Sequence, residues 1–326
     1  MLLPFEKNKR EIIVKKEFLT SDKFGKDPNN RSVDELINYG IINVNKPKGP
    51  TSHQVSYFVQ EILNIDKSGH SGTLDPKVTG VLPVALKKAT RIVNVLLPSG
   101  KEYVCLMHLH KDHEEYEIRK VMDSFVGTID QLPPIKSAVK RQMRKRTIYY
   151  IKIHEIIGKD VLFTVGCQAG TYIRKLVHDI GKKLGSGAHM TQLIRTKAGP
   201  FNLKNSWTLQ DLKDAYYYYK EENNDKFIKQ IILPIEEAIN HLPKIWVMDT
   251  TVDSLCHGSD LALPGICKFE SGINENDNVA ILTLKNELIC IGTAKMSSDE
   301  FKEKKGRAVK TDKVFMDIGI YPKYNK

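Results

Sequence analysis

The sequence contains few cysteines and no long apolar segment. Its five cysteines are an odd number without a C-x-x-C pair: Cys105, Cys167, Cys256, Cys267 and Cys290. This scatter argues against a disulfide framework and against a structural zinc site, because both need suitably spaced cysteines. No apolar run reaches the roughly 18 residues of a membrane span, and Met1–Lys7 is charged too early for a secretory signal. These absences predict an intracellular protein that does not cross a membrane.

Signatures of nucleotide and metal binding are also missing. The chain has no P-loop, no G-x-G-x-x-G loop and no spaced cluster of metal ligands. The sequence therefore contains no recognisable motif for a nucleotide cofactor or a metal ion.

Positive charge is present in excess. Lys and Arg number 50 against 39 Asp and Glu, so the formal net charge is +11 and the pI is near 9.2. The excess favours a polyanionic partner, nucleic acid before a membrane surface, because attraction to phosphate does not depend on sequence. A lysine-rich proteome would explain the same charge. At 326 residues the chain exceeds one average domain, so two domains are expected.

The stretch Gly69–Gly80 combines three glycines, one proline and one carboxylate. Glycine permits tight turns and close approach to a ligand, and a residue before proline is kept out of the helical conformation. Asp75, which precedes Pro76, is therefore a candidate nucleophile or general base on a rigid loop. Asp before Pro is also an ordinary helix start with Asp as N-cap, and the local sequence alone favours that second interpretation.

Hydrophobic patterns predict strands and helices on both sides of this stretch. Ile41–Val44 is predicted to be a short buried strand. A helix capped by Thr51 or Ser52 should follow it, because the next apolar residues recur at helical spacing. A further strand is predicted over Lys101–His108.

A later helix carries an arginine in an unusual place. The helix is predicted to open after Gly170 with Thr171 as its N-cap, and its buried stripe comprises Ile173, Leu176, Val177, Ile180 and Leu184. Arg174 would lie in the first turn, where the helix macrodipole prefers anions. Arg174 should therefore have a carboxylate or phosphate partner, although a surface arginine fits the local pattern as well.

Between these elements the chain turns strongly basic. Cations follow one another without an acid at Lys136, Lys140, Arg141, Arg144, Lys145 and Arg146. A charge run is usually a solvated face. Because Tyr149 and Tyr150 follow at once in a chain that is already basic, an RNA-contacting loop is favoured here.

From Pro243 onward the pattern changes to short strands and turns. Strands are predicted over 245–248, 279–284, 288–291 and 314–316. They indicate a small, mostly β, barrel-like domain of about 80 residues.

Four separated motifs resemble those of pseudouridine synthases of the tRNA pseudouridine-55 synthase class. In chain order they are Val44–Ser52, Gly69–Gly80, Lys101–Tyr103 and Gly170–Arg174. The C-terminal β region resembles a PUA domain, an RNA-binding module. The resemblance implies an α+β pseudouridine synthase fold, with a central mixed or antiparallel sheet flanked by helices, plus the small mostly-β PUA domain. It also implies an N-terminal extension at 1–38, a catalytic domain at 39–235 and a PUA domain at 243–321.

The resemblance implies roles for individual residues. Asp75 is the implied nucleophile, Arg174 the partner that keeps it ionised, and Tyr103 the ring that stacks on the flipped uracil and helps to remove its C5 proton. The isomerisation is redox-neutral and needs neither cofactor nor metal. Contacts to RNA are expected from Lys46, Pro47, His70, Gly72, Thr73, Leu193, Lys140, Arg141, Arg144 and Arg146. A buried structural role fits His70 nearly as well.

Within this class the chain looks most like the dyskerin-type synthases of H/ACA ribonucleoproteins. The likeness rests on Gln131–Gln142, Arg146–Tyr150, Gly187–Met190 and Leu193–Thr196. The extended thumb segment of stand-alone enzymes is missing after Pro134. It implies an H/ACA guide RNA and a substrate rRNA, or a tRNA. It also implies a small zinc-ribbon-like protein, a small β-barrel protein and a kink-turn-binding protein as partners. Without lysine-rich tails, an archaeal-type cytoplasmic protein is expected; a eukaryotic one would be nucleolar.

Two other functions stay open on the sequence. A stand-alone tRNA pseudouridine-55 synthase would share every catalytic residue and differ in the thumb and the PUA region. A non-catalytic RNA-binding scaffold is the other alternative, against which the presence of Asp75, Tyr103 and Arg174 argues.

Overall fold

The computed structural model describes residues 1–133, 140–303 and 305–323. Within these ranges the α-helices are α1 (Pro4–Lys7), α2 (Val33–Tyr39), α3 (Ser52–Leu63), α4 (Val93–Leu96), α5 (Glu115–Asp123), α6 (Ile173–Lys183), α7 (Leu209–Glu221), α8 (Lys226–Ile231) and α9 (Asp249–Cys256). None of these described helices combines the length and the apolar character needed to span a bilayer.

The strands fall into an earlier and a later group along the chain. The earlier strands are β1 (Ile12–Val14), β2 (Gly40–Lys46), β3 (Ser68–His70), β4 (Thr79–Leu86), β5 (Lys101–Leu109), β6 (Gly127–Gln131), β7 (Arg144–Ile157), β8 (Asp160–Cys167), β9 (Ala188–Ala198) and β10 (Phe201–Asn202). The later strands are β11 (Ile232–Pro234), β12 (Lys244–Val247), β13 (Leu261–Ala262), β14 (Ile266–Glu270), β15 (Asn278–Thr283), β16 (Leu288–Ala294) and β17 (Arg307–Val314). The strands predicted over 41–44 and 101–108 are confirmed as β2 and β5.

One compact unit comprises Met1–Lys7, Ile42–Val84 and the described residues of Val93–Asn224. Its strands form a sheet in the order β2-β4-β9-β5-β8-β7-β6, with β3 beside β4 and β10 beside β9. Strand β4 runs parallel to β9, whereas β5 is antiparallel to both β8 and β9. The predicted mixed sheet is therefore confirmed, and it brings β4, β9 and β5 side by side.

Helix α6 packs its apolar stripe into the core of this unit. Ile173, Leu176, Val177 and Ile180 are buried there together with residues of β5 and β8, as their spacing predicts. The predicted N-cap is wrong, because Tyr172 occupies that position without a side-chain cap bond. The Thr171 hydroxyl turns away and donates to the Gln168 carbonyl at 2.7 Å. Arg174 nevertheless lies in the first turn of α6, as expected.

The second compact unit comprises Asn8–Ile41, Ala85–Ile92 and the described residues from Asp225 onward. Its seven-stranded sheet has the order β1-β14-β12-β15-β16-β17-β13. The predicted C-terminal β domain is confirmed, and β1 from the N-terminal segment pairs antiparallel with β14. The strand predicted over 314–316 is wrong in position. Strand β17 ends at Val314. Phe315 and Met316 are buried beyond its end, where the backbone N–H groups of both donate to the single carbonyl of Ile289.

Candidate active site

The glycine-rich stretch forms the connection between β3 and β4. Gly72 and Gly80 have φ values of +128° and +108°, a region that favours glycine. A Cβ at Gly80 would lie 2.2 Å from the Arg195 carbonyl oxygen, because β4 pairs with β9 at these two residues. Glycine is therefore required at position 80 to bring β9 against the start of β4.

Asp75 lies exposed in this loop. Its carbonyl accepts a hydrogen bond from Val78 N at 2.9 Å, so it opens a turn, and no helix begins in the described stretch 71–80. The helix N-cap interpretation is therefore wrong. Arg174 Nη2 donates to Asp75 Oδ2 at 2.7 Å, which confirms the predicted anionic partner. The side chains are 57% (Asp75) and 63% (Arg174) exposed, so the pair stabilises the fold little and is accessible to a substrate.

Lys46 holds the loop on the carboxyl side of Asp75. Its fully buried ammonium donates to the carbonyls of Pro47 (2.9 Å), Pro76 (3.3 Å) and Val78 (2.9 Å). Burial and the Arg195 charge lower the pKa of Lys46, whereas Asp75 raises it. The Lys46 side chain thus contacts the loop from inside the protein, whereas its neighbour Pro47 is exposed. The proposed contacts of both residues with RNA stay predictions.

Arg195 occupies the space between the loop and β5. It is 1% exposed and donates to the carbonyls of Val81 at 2.7 Å and Gly72 at 3.1 Å. It lies opposite Tyr103 in the pairing of β5 and β9. Burial raises the pKa of Tyr103, while the Arg195 guanidinium, which also hydrogen-bonds it, lowers that pKa. The sequence motif contained Arg195, but no pattern indicated that a cation there would be buried.

Lys101 is a second buried lysine close to this cluster. Its ammonium donates to the carbonyls of Leu96 (3.1 Å), Leu97 (2.8 Å) and Ser99 (2.7 Å). Burial, and then the Arg195 charge, lowers the pKa of Lys101 to about 7. Because Lys101 is two residues before Tyr103, the ammonium fixes the end of the strand that carries the phenol.

His70 is neutral and mostly enclosed. Burial, followed by the His53 ring and the Arg195 charge, lowers the pKa of His70 to about 4. Its two ring nitrogens are buried and find no hydrogen-bond partner among the described residues. The ring meets that of His53 edge to face at 4.8 Å between centroids. Burial and the His53 contact fit the structural interpretation of His70, whereas ring nitrogens without a partner do not. Its proposed contact with RNA stays a prediction.

The remaining predicted RNA contacts are spread over three regions. Thr73 is exposed beside Gly72 in the loop, whereas Leu193 lies half-buried on β9, opposite Cys105 of β5. Lys140 and Arg141 are exposed, and Arg146 lies against Gly170, at the turn that leads to Arg174. Residues 134–139, which include Lys136 of the basic run, lie outside the described residues.

These groups can act on a sugar–base bond. An ionised carboxylate with a guanidinium partner is suited to nucleophilic attack or to stabilising positive charge at a sugar carbon. Burial, and to a smaller extent the Asp75 charge, raises the pKa of Tyr103. The exposed loop leaves access for a nucleotide extruded from its stack.

Family models and relatives agree with this chemistry. The TruB family pseudouridylate synthase N-terminal domain matches residues 60–173, and the tRNA pseudouridylate synthase B C-terminal domain matches 174–240. A PUA domain matches 243–315 and a DKCLD domain 2–56. A probable tRNA pseudouridine synthase B of Nanoarchaeum equitans is 56% identical over 98% of this chain and 92% of its own length. The one of Methanopyrus kandleri is 53% identical over 98% and 95%.

Solved structures match nearly the whole chain. A chain of a Cbf5-Nop10-Gar1 complex superposes with a TM-score of 0.94 and 52% identity, covering 99% of both chains. A chain of an H/ACA RNP bound to a substrate RNA containing 2′-deoxyuridine has a TM-score of 0.93, 50% identity and the same coverage. The family models, the relatives and the solved structures agree with the Asp75–Arg174 pair and the mixed sheet, and the chain belongs to the TruB family of pseudouridine synthases.

Proposed function

We propose that this pseudouridine synthase isomerises uridines of ribosomal RNA chosen by an H/ACA guide RNA, as the catalytic subunit of an H/ACA ribonucleoprotein. The observation that carries the proposal is the match over 99% of the chain to a chain of an H/ACA RNP and to one of a Cbf5-Nop10-Gar1 complex. The net charge of +11 supports a large RNA partner.

The second candidate is a stand-alone tRNA synthase. It is favoured by the names of the relatives from Nanoarchaeum equitans and Methanopyrus kandleri, which are probable tRNA pseudouridine synthases B. Both functions would use the same chemistry, so the choice depends on how the substrate is selected.

In the proposed reaction Asp75 acts on the flipped uridine. Its carboxylate attacks C1′ while the C1′–N1 bond breaks. The uracil then rotates, and its C5 forms a bond to C1′ as the bond between C1′ and the carboxylate breaks. C5 loses a proton and N1 gains one, so no atom is gained or lost overall. Arg174, 2.7 Å from the carboxylate, keeps it ionised when RNA excludes water. Tyr103 stacks on the uracil and assists the removal of the C5 proton.

The proposed partners rest on the same match and on the likeness of the sequence to dyskerin-type synthases. Complexes named for Nop10 and for Gar1 contain the chains that this protein resembles. We therefore expect a small zinc-ribbon-like protein, a small β-barrel protein and a kink-turn-binding protein to assemble with it, and the archaeal relatives favour an archaeal-type cytoplasmic particle. Size-exclusion chromatography of the mixed components would test the assembly.

The discriminating experiment is an isomerisation assay on a tRNA transcript and on an rRNA fragment. Each RNA is tested with the protein alone and with an H/ACA guide RNA plus the partner proteins. Guide-dependent conversion of the rRNA uridine supports the proposal. Conversion of tRNA alone, without a guide, would replace it with the stand-alone function.

Asp75→Asn tests the nucleophile in the same assay. The substitution keeps the size of the side chain and removes its charge, so folding and RNA binding should persist while turnover is abolished. Isomerisation at a rate close to that of the unsubstituted protein would reject Asp75 as the nucleophile. RNA binding without isomerisation in the unsubstituted protein would instead indicate a scaffold.

A further inference from the structure

Ser52 is not needed to cap helix α3. Thr51 holds the N-cap position, and its hydroxyl accepts a hydrogen bond from Gln54 N while the Gln54 side chain accepts one from Thr51 N. This capping box satisfies the first turn of the helix. The Ser52 side chain, at 0% exposure, is therefore available for another contact.

That contact is with the residue before Asp75. Ser52 Oγ accepts a hydrogen bond from Leu74 N at 2.8 Å and donates one to Leu74 O at 3.2 Å. One hydroxyl thus satisfies both backbone groups of a buried residue. Without it, a buried N–H and a buried C=O would lose their partners, which is the costly way to break hydrogen bonds.

The loop has few other attachments on this side of Asp75. Thr73 is exposed, and Gly72 is held through its carbonyl by Arg195. On the other side, the Pro76 carbonyl accepts from Gly49 N at 2.9 Å and from Lys46. The backbone of Asp75 is therefore fixed between a serine clamp at Leu74 and a second clamp at Pro76.

We propose that Ser52 is a positioning residue of the synthase, which fixes through Leu74 the backbone from which the Asp75 carboxylate reaches Arg174. The proposal rests on the proposed role of Asp75. A reacting group misplaced by about 1 Å can cost roughly a hundredfold in rate, and Asp75 is itself exposed, so its placement depends on the backbone beneath it.

Ser56 provides a matched control on the same helix. It is also buried, at 6% exposure, and its hydroxyl is hydrogen-bonded to Ser68 Oγ at 2.6 Å, away from Leu74. Ser52→Ala and Ser56→Ala each remove one buried hydroxyl from α3. Only the first removes a contact to the Asp75 loop.

The test compares these variants on the RNA that the unsubstituted protein modifies, with guide RNA and partner proteins where modification needs them. Ser52→Ala should lower kcat about 10- to 100-fold with KM changed less than about twofold. Ser56→Ala should keep the full kcat even where its melting temperature falls. Ser52→Thr, which keeps the hydroxyl, should recover most of the kcat. A folded Ser52→Ala protein with unchanged kcat would overturn the proposal.

A measurement on the unsubstituted protein covers the case in which Ser52→Ala does not fold. Amide hydrogen exchange at Leu74 should be at least about 100-fold slower than at exposed Thr73, and equally fast exchange would reject the clamp.

Asp75→Asn, assayed in parallel, separates the proposed role of Asp75 as nucleophile from the proposed role of Ser52. If Asp75→Asn retains activity, the assignment of Asp75 as the nucleophile is wrong. If Asp75→Asn is inactive while Ser52→Ala is fully active, only the positioning role of Ser52 is wrong.

Discussion

Replacing Lys101 with methionine should change how stability depends on pH. The ammonium is 5% exposed and bonded to the carbonyls of Leu96, Leu97 and Ser99. Methionine has a similar length, fills irregular space and carries no charge. The variant therefore removes one buried titration from the first unit while retaining the packing.

The expected size follows from the pKa of Lys101, which falls from 10.5 to about 7 on burial. This fall corresponds to about 5 kcal/mol at most. Between pH 7 and 10.5 the unfolded chain keeps the proton that the folded protein has released. The free energy of unfolding of the unsubstituted protein, relative to Lys101→Met, should therefore rise with pH across this window. The penalty of the buried charge is fully present below pH 7.

The assay is denaturant unfolding at pH 6 to 10, followed by fluorescence. Trp207 lies in the first unit and Trp246 in the second, so a Trp246→Phe background reports on the first unit alone. Lys197→Met controls for the loss of a cation, because Lys197 is a partly exposed lysine of β9 paired with Glu6. Parallel curves for the unsubstituted protein and Lys101→Met between pH 7 and 10 would refute the reasoning.

Three other substitutions test the site. Arg174→Lys should lower kcat at least about tenfold, because an ammonium cannot reproduce the planar guanidinium contact to Asp75. The melting temperature should stay constant, since both side chains are exposed, and an unchanged kcat would contradict the prediction. Gly80→Ala should lower the free energy of unfolding by about 2 kcal/mol or more, because its Cβ would lie 2.2 Å from the Arg195 carbonyl oxygen. An unchanged midpoint of denaturant unfolding would count against that clash. His70→Asn should reduce the loss of melting temperature as the pH falls from 6.5 to 4, because the unfolded chain binds a proton at His70 near pH 6.5 and the folded protein only near pH 4. Equal losses in both proteins would exclude this.

The sequence was sufficient to predict those structural features that follow a local rule. The first turn of a helix disfavours an arginine unless an anion is near, and Asp75 is that anion. Helical spacing predicted the buried face of α6, and Thr51 was one of two predicted caps of α3. The buried face and the cap depend on neighbours a few residues apart along the chain. The partner of Arg174 lies 99 positions away, and only its negative charge was predicted.

Local rules failed where the partner is a distant backbone atom. Lys46, Lys101 and Arg195 carry charge, so their burial could not be predicted from composition; their acceptors are carbonyls, which every residue has. Ser52 was one of the two predicted caps of α3. No local rule could predict its hydrogen bond with Leu74, which lies 22 positions away. The pairing of β1 with β14 in the second unit likewise joins opposite ends of the sequence.

The two buried lysines also bear on how this enzyme can vary. Every hydrogen bond that Lys46 and Lys101 make within the described residues ends on a main-chain carbonyl. The side chains of Leu97 and Pro76 can therefore be exchanged without removing an acceptor. A one-residue insertion or deletion would displace three acceptor carbonyls at once in the turn before Lys101, and two, those of Pro76 and Val78, in the Asp75 loop. Directed evolution should accordingly accept substitutions around both lysines and reject changes of loop length.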